Sequence, residues 1–132
     1  RLVNGGRNLT IVTYGALVQK ALQAAALIEQ RHHGVSVEIL DLRTLAPYDW
    51  EAISESVRKT ARVLIAHEDC LSFGYGAEIA ARIADELFDR LDAPVRRAAA
   101  RDTWIGYSPD LERAILPQVS DLVREADRLL EW

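Results

Sequence analysis

Apolar residues along this chain fall into two alternating rhythms. Short runs rich in β-branched side chains are separated by longer runs in which apolar positions recur every three to four residues, and that alternation marks an α/β fold. Leu9-Thr10-Ile11-Val12-Thr13-Tyr14 is the first strand-like run, and Gly15 ends it in a turn. Ala16 to Arg31, Ala- and Leu-rich and free of Gly and Pro, predicts a helix that Gly34 stops. Val35 to Leu42 predicts a second strand. After the break at Pro47, Asp49 is placed to cap a helix reaching to Thr60. Arg62-Val63-Leu64-Ile65-Ala66-His67 shows no polar alternation, which predicts a central parallel strand buried on both faces.

The clearest amphipathic pattern follows. Ile79, Ala80, Ile83, Ala84, Leu87, Phe88 and Leu91 share one helical face, while Asp85, Glu86, Asp89 and Arg90 take the other. Pro94 to Ala100 predicts a fourth strand. Ser108-Pro109 has the chemistry of a cap and first helical residue, and a last helix aligns Val119, Leu122, Val123, Ala126, Leu129 and Leu130. These elements predict an α/β three-layer sandwich, a mostly parallel sheet of about five strands with helices on both faces and right-handed crossovers. Residues 1–8 are polar and Gly-rich and read as a linker, leaving 9–132 as a single domain.

Composition narrows the function classes. A chain of 132 residues supports one hydrophobic core and is short for two. The net charge of -4, with basic pairs such as Arg96-Arg97 but no basic run, argues against nucleic acid as a partner. The single cysteine, Cys70, allows no internal disulfide and predicts a reducing compartment such as a bacterial cytoplasm. Charges interrupt every apolar stretch well before the roughly 20 residues of a membrane span, so no membrane partner is expected.

A search for chemistry finds two features. Gly74-Tyr75-Gly76 opens the amphipathic helix, and a helix start of this kind either holds a small anion or packs closely on its neighbours. The G-x-G-x-x-G and Walker A patterns are missing. His67-Glu68-Asp69-Cys70, with Ser72 nearby, is the densest polar cluster and falls where a strand ends. Adjacent strand residues point to opposite faces, so these side chains do not converge on a metal, and no Cys-His or Ser-His pair has a third group to orient it. Hydrogen bonding to loops, or an interface, is the expected role of His67 and Glu68. His32 and His33, at a helix end where a cation suits the dipole, are expected to be solvated.

Four ordered stretches carry a resemblance: LTIVTYG (Leu9 to Gly15), VEILDLRTLAPYD (Val37 to Asp49), VRKTARVLIAHED (Val57 to Asp69) and FGYGAEIAARIADELFDRLDAPVRR (Phe73 to Arg97). With RDTWIGYSPDLE and LPQVSDLVREADRLLEW after them, they resemble the transketolase C-terminal-like domain of the beta subunit in thiamine-diphosphate-dependent 2-oxo acid dehydrogenases. His67-Glu68-Asp69 and the later DAPVRR look closer to branched-chain (2-oxoisovalerate) enzymes than to pyruvate enzymes. A pyruvate dehydrogenase, a transketolase or a deoxyxylulose-phosphate synthase domain, and a stand-alone module binding a small anion at Gly74 and Gly76, are the alternatives. Two loops depart from the family's usual wording: Ser72-Phe73 stands where a Gly-containing pair is common, and Thr103-Trp104-Ile105-Gly106 replaces a Pro-rich stretch.

The resemblance implies a division of labour. Thiamine diphosphate and magnesium would sit between the alpha subunit and the N-terminal domain of the beta subunit, with no cofactor bound by this domain and no catalytic residue in it. The full enzyme would decarboxylate a branched-chain 2-oxo acid and pass the acyl group to lipoamide. This domain would contact the alpha subunit and a second beta chain, form a homo-oligomer when isolated, and dock the subunit-binding domain of the lipoyl acyltransferase. In that docking the resemblance assigns the acidic residue before Ala-Pro, here Asp92, and the C-terminal residue, here Trp132.

Overall fold

The computed structural model describes residues 1–132. In chain order the elements are β1 (Leu2–Asn4), β2 (Leu9–Thr13), α1 (Leu17–Arg31), β3 (Val37–Asp41), α2 (Trp50–Thr60), β4 (Val63–Cys70), α3 (Tyr75–Glu86), a 3-10 turn (Phe88–Arg90), β5 (Arg96–Ala100), α4 (Pro109–Ile115) and α5 (Val119–Leu130). They form one five-stranded sheet in the order β1-β3-β2-β4-β5. β2 pairs in parallel with β3 and β4, and β4 with β5; only β1 runs antiparallel. The expected three-layer α/β sandwich is what the chain builds.

Each face of the sheet has its own core. On one side Leu9, Ile11, Val37, Ile39 and Leu64 meet α1 and α5; on the other Val12, Val63, Ile65 and Leu40 meet α2 and α3. β4 is buried from Val63 through His67, as the unbroken apolar run required. Two buried polar clusters are matched by partners within the chain. Thr10 Oγ1 lies 2.7 Å from both Ser56 Oγ and Thr60 Oγ1 between β2 and α2. Glu38, 2% exposed, pairs with Lys59 and accepts from the Gly6 amide, and these partners hold its carboxyl below the usual range even though burial pulls the other way.

The local cap chemistry is also as expected. Asp49 Oδ1 accepts from the Ala52 amide at 3.0 Å, and Ser108 Oγ from the Leu111 amide at 3.2 Å. α2 stops at Ala61, which takes the left-handed conformation (φ 58°) that glycine occupies without strain. Ala61→Gly should therefore raise stability by about 0.5–1 kcal/mol, the relief of the left-handed penalty less glycine's greater freedom when unfolded. A urea titration whose midpoint stays put would disprove it.

Two expectations need correction. Residues 1–8 are not simply a linker: Leu2–Asn4 forms an edge strand on β3, Asn4 Nδ2 donates to the Val37 carbonyl at 2.7 Å, and Asn8 Oδ1 accepts from the Ser36 amide at 2.9 Å. Gly6 crosses so close to the Val37–Glu38 backbone that any Cβ there would overlap it. Three edge residues stitched by side chains leave no alternating apolar signature. The amphipathic helix is also shorter than its pattern, ending at Glu86, and the 3-10 turn that follows throws Phe88 outward to 78% exposure.

Candidate functional site

The sequence-predicted residues fall into two places. The first is the C-terminal end of β4, where His67 is completely buried. Its ring lies parallel to that of Tyr14, with centroids 6.3 Å apart, and against the start of α3. A Cβ at Gly76 would overlap His67 Nε2 and Cδ2, and one at Gly74 would overlap the Cys70 carbonyl oxygen, so the two glycines let the helix sit directly on the strand end. Neither ring nitrogen of His67 has a hydrogen-bond partner. Burial pushes the imidazole below its ordinary value, against the pull of Asp69, so the ring is neutral.

Asp69 lies at the helix start. Its Oδ2 accepts from the Tyr75 amide at 2.9 Å and its Oδ1 from the Cys70 amide at 2.8 Å, and these two amides keep its carboxyl low. The chain's own carboxylate thus occupies the positive end of α3, where a diphosphate would meet a negative charge; these residues do not fit that group. Glu68 turns to the other face of the sheet, 4.0 Å from Lys20 of α1. Ser72 bonds to Asp102, and no group of three His, Cys, Asp or Glu is placed to hold a metal. The strand alternation has separated the cluster that looked dense in sequence.

The second place is a groove of about 830 Å³ that brings Asp92 and Trp132 together. Its apolar lining includes Ala80, Ala84, Leu91 and Val95, with Phe88 and Trp132 exposed at the rim. Asp92 holds its place by a hydrogen bond from its backbone amide to the Ala61 carbonyl and a 3.2 Å pair with Arg62 Nη1, yet its side chain remains 60% exposed. The arrangement offers an apolar slot edged by the carboxylates of Asp89 and Asp92, suited to a side chain or helix flanked by cations.

Several features escape the sequence reading. His32 is not simply solvated: its Nε2 lies 2.9 Å from Asp127 Oδ1, with Arg31 on the other oxygen at 3.1 Å, because α5 returns beside the end of α1. The Arg82 guanidinium covers the Trp50 ring at 4.0 Å, joining α3 to α2. Phe88 gave a misleading signal, since its spacing placed it inside.

No helix is long and apolar enough to cross a membrane. Residues 1–122 match the family described as transketolase, C-terminal domain. The chain is 45% identical over 126 residues to the 3-methyl-2-oxobutanoate dehydrogenase subunit beta of Mycobacterium tuberculosis, covering 95% of this chain and 35% of that protein. It is 42% identical over 123 residues to the mitochondrial pyruvate dehydrogenase E1 component subunit beta-2 of Oryza sativa, covering 93% and 32%. Against the pyruvate dehydrogenase E1 component subunit beta of Staphylococcus epidermidis the identity is 38%, covering 96% and 38%. A split-gene transketolase, solved as an inactive beta4 tetramer, superposes with a TM-score of 0.85 at 28% identity, over 99% of this chain and 42% of that one. The chain thus spans about a third of the length of the curated relatives it matches. The family match, the sequence identities and the superposition agree that this chain belongs to the transketolase C-terminal domain family and is related to the beta subunits of 2-oxo acid dehydrogenases.

Proposed function

We propose that this domain acts by assembly and docking within a 2-oxo acid dehydrogenase of the branched-chain type, with thiamine diphosphate, magnesium and the reacting substrate held by other parts of that enzyme. The observation that carries the reading is a contrast between its two candidate places. At β4 the strand parts the reactive-looking residues and His67 is closed into a packing joint, while the groove of Asp92 and Trp132 stays open with an apolar floor and an acidic rim. The alpha subunit and a second beta chain are the partners for assembly, and a homo-oligomer is the state proposed for the domain by itself. The groove is the seat proposed for the subunit-binding domain of the lipoyl acyltransferase. The branched-chain choice rests on the wording of His67-Glu68-Asp69 and DAPVRR, and the identities of 45% to a 3-methyl-2-oxobutanoate enzyme and 42% to a pyruvate enzyme fit either type. A stand-alone anion-binding module is disfavoured, because Asp69 already sits at the helix start.

Removing a rim carboxylate that faces a cationic partner should weaken binding about tenfold. Asp92→Ala is expected to do this in titrations against an acyltransferase subunit-binding domain, with thermal unfolding run in parallel because Asp92 also pairs with Arg62. Affinity equal to that of the unaltered protein would remove Asp92 from the docking surface.

A further inference from the structure

Asp92 and Trp132 edge one groove from distant parts of the chain, and a single side chain joins the two. Arg62 stands between the left-handed Ala61 that ends α2 and the first residue of β4. This stretch of backbone is fixed on both sides. The Arg62 carbonyl accepts from the Thr10 amide at 2.9 Å, and the Ala61 carbonyl accepts from the Asp92 amide at 2.9 Å. From that base the guanidinium reaches two ways. Nε donates to the Leu129 carbonyl in the last turn of α5 at 3.0 Å, and Nη1 donates to Asp92 Oδ2 at 3.2 Å. The last four carbonyls of a helix lack partners within it, and a cation beside them also suits the dipole. Trp132 lies two residues beyond the end of α5.

The two rim carboxylates differ accordingly. Asp89 pairs only with Arg90, its neighbour in sequence, and both side chains are mostly exposed, so the pair orders little. In the other pair Arg62 is the sheltered member, at 24% exposure against 60% for Asp92. Asp92 is therefore held from one side while most of its carboxylate stays open to solvent. Its Oδ1 enters no hydrogen bond within the chain.

We infer that Arg62 is the positioning residue of this docking groove: it locks the Asp92 carboxylate to the end of α5 and leaves one oxygen for a single cation of the partner. A planar guanidinium suits the task because its donors sit on separate atoms and point in fixed directions, Nε to one wall and Nη1 to the other. A lysine ammonium carries its donors on one atom and does not span both. A groove ordered in advance binds more tightly, since the partner does not have to immobilise its walls. With Oδ2 taken, a partner arginine cannot form the two-point pair that a free carboxylate allows, so lysine and arginine serve equally there. An apolar side chain next to that cation enters the slot over Ala80, Ala84 and Val95.

The inference rests on the docking reading and adds the residue that shapes the groove and the charge the partner brings to it. Titration against the acyltransferase subunit-binding domain tests it. Arg62→Lys keeps the charge and breaks the bridge, and should weaken binding about fivefold. In an Asp92→Ala background the same change should cost about twofold at most, since one of the two walls it joins is already altered. Without any partner, Arg62→Lys should also speed hydrogen exchange at the Glu131 amide, which bonds to the Asp127 carbonyl in the turn that Arg62 holds. Exchanging single basic residues of the binding domain between arginine and lysine should change affinity less than about threefold. If Arg62→Lys binds as tightly as the parent while Asp92→Ala binds weakly, the inference falls and the docking reading stands. Equal losses in the two backgrounds, unchanged exchange at Glu131, or a preference of about tenfold for arginine at one partner position would overturn it as well. A parent protein that does not bind removes both.

Discussion

Replacing Gly76 with alanine should destabilise the domain by about 3 kcal/mol, at the upper end of what overpacking a tight core costs. In a chain of this size that corresponds to a fall in melting temperature of about 10 °C. Helix propensity alone gives the opposite sign, since alanine in place of glycine favours a helix by up to about 1 kcal/mol, and by less in the first turn where Gly76 lies. The steric argument wins because of what the new methyl group meets. It would overlap His67 Nε2 and Cδ2 and come within 3.0 Å of Ile65 Cγ2. His67 has no room to withdraw, being wholly buried with its ring along Tyr14, and Ile65 belongs to the core under α3. The helix must lift, weakening the contacts of Ile79 and Ile83 on the same face. Adding His67→Ala to the variant should restore part of the loss, giving a double-mutant cycle with a large coupling energy. A Gly76→Ala protein as stable as its parent would show that the joint is loose.

The same joint shows where sequence reasoning succeeds and where it stops. Burial of β4 from Val63 to His67 was legible because a run without polar alternation has few other solutions. The parting of His67 and Glu68 to opposite faces follows from strand geometry alone. Caps at Asp49 and Ser108 are local chemistry and were equally plain. Other features depend on residues distant in the chain. His32 meets Asp127 only because α5 returns to α1, and Asp69 reaches the Tyr75 amide only through the conformation of the intervening loop. β1 is too short for a period to show, and Phe88 kept helical spacing beyond the point where the helix ends. Asp92 and Trp132 were singled out by resemblance, but the apolar slot that joins them exists only in the folded chain.

Mild acid should find the weakness of this joint before it reaches the carboxylates. His67 has its proton affinity lowered in the fold, chiefly by burial, so the unfolded chain binds a proton there more readily than the native one. Stability is then full above the usual imidazole value of 6.5 and falls as the pH drops from there toward the folded pKa. Each pH unit inside that window removes up to about 1.4 kcal/mol. The groups facing the ring are Tyr14 just after β2, Gly74 and Gly76 at the start of α3, Asp69 on its own strand and Arg97 on β5. Asp69 favours the charged form and Arg97 opposes it, and burial outweighs Asp69. Glu38 and Asp69, whose carboxyls are held low by their partners, also lose their contributions in acid, but only once the pH falls below the ordinary carboxylate range. The two losses therefore begin at different pH, that of His67 first. Urea titrations between pH 7.5 and 5 should show stability declining steeply in the parent and much less in His67→Leu, which keeps a side chain of similar volume without a site to protonate. His32 and His33 remain in both proteins, so the difference between the two slopes isolates His67. Parallel slopes would mean that the ring reaches solvent or a proton acceptor, and that α3 does not seal the end of β4.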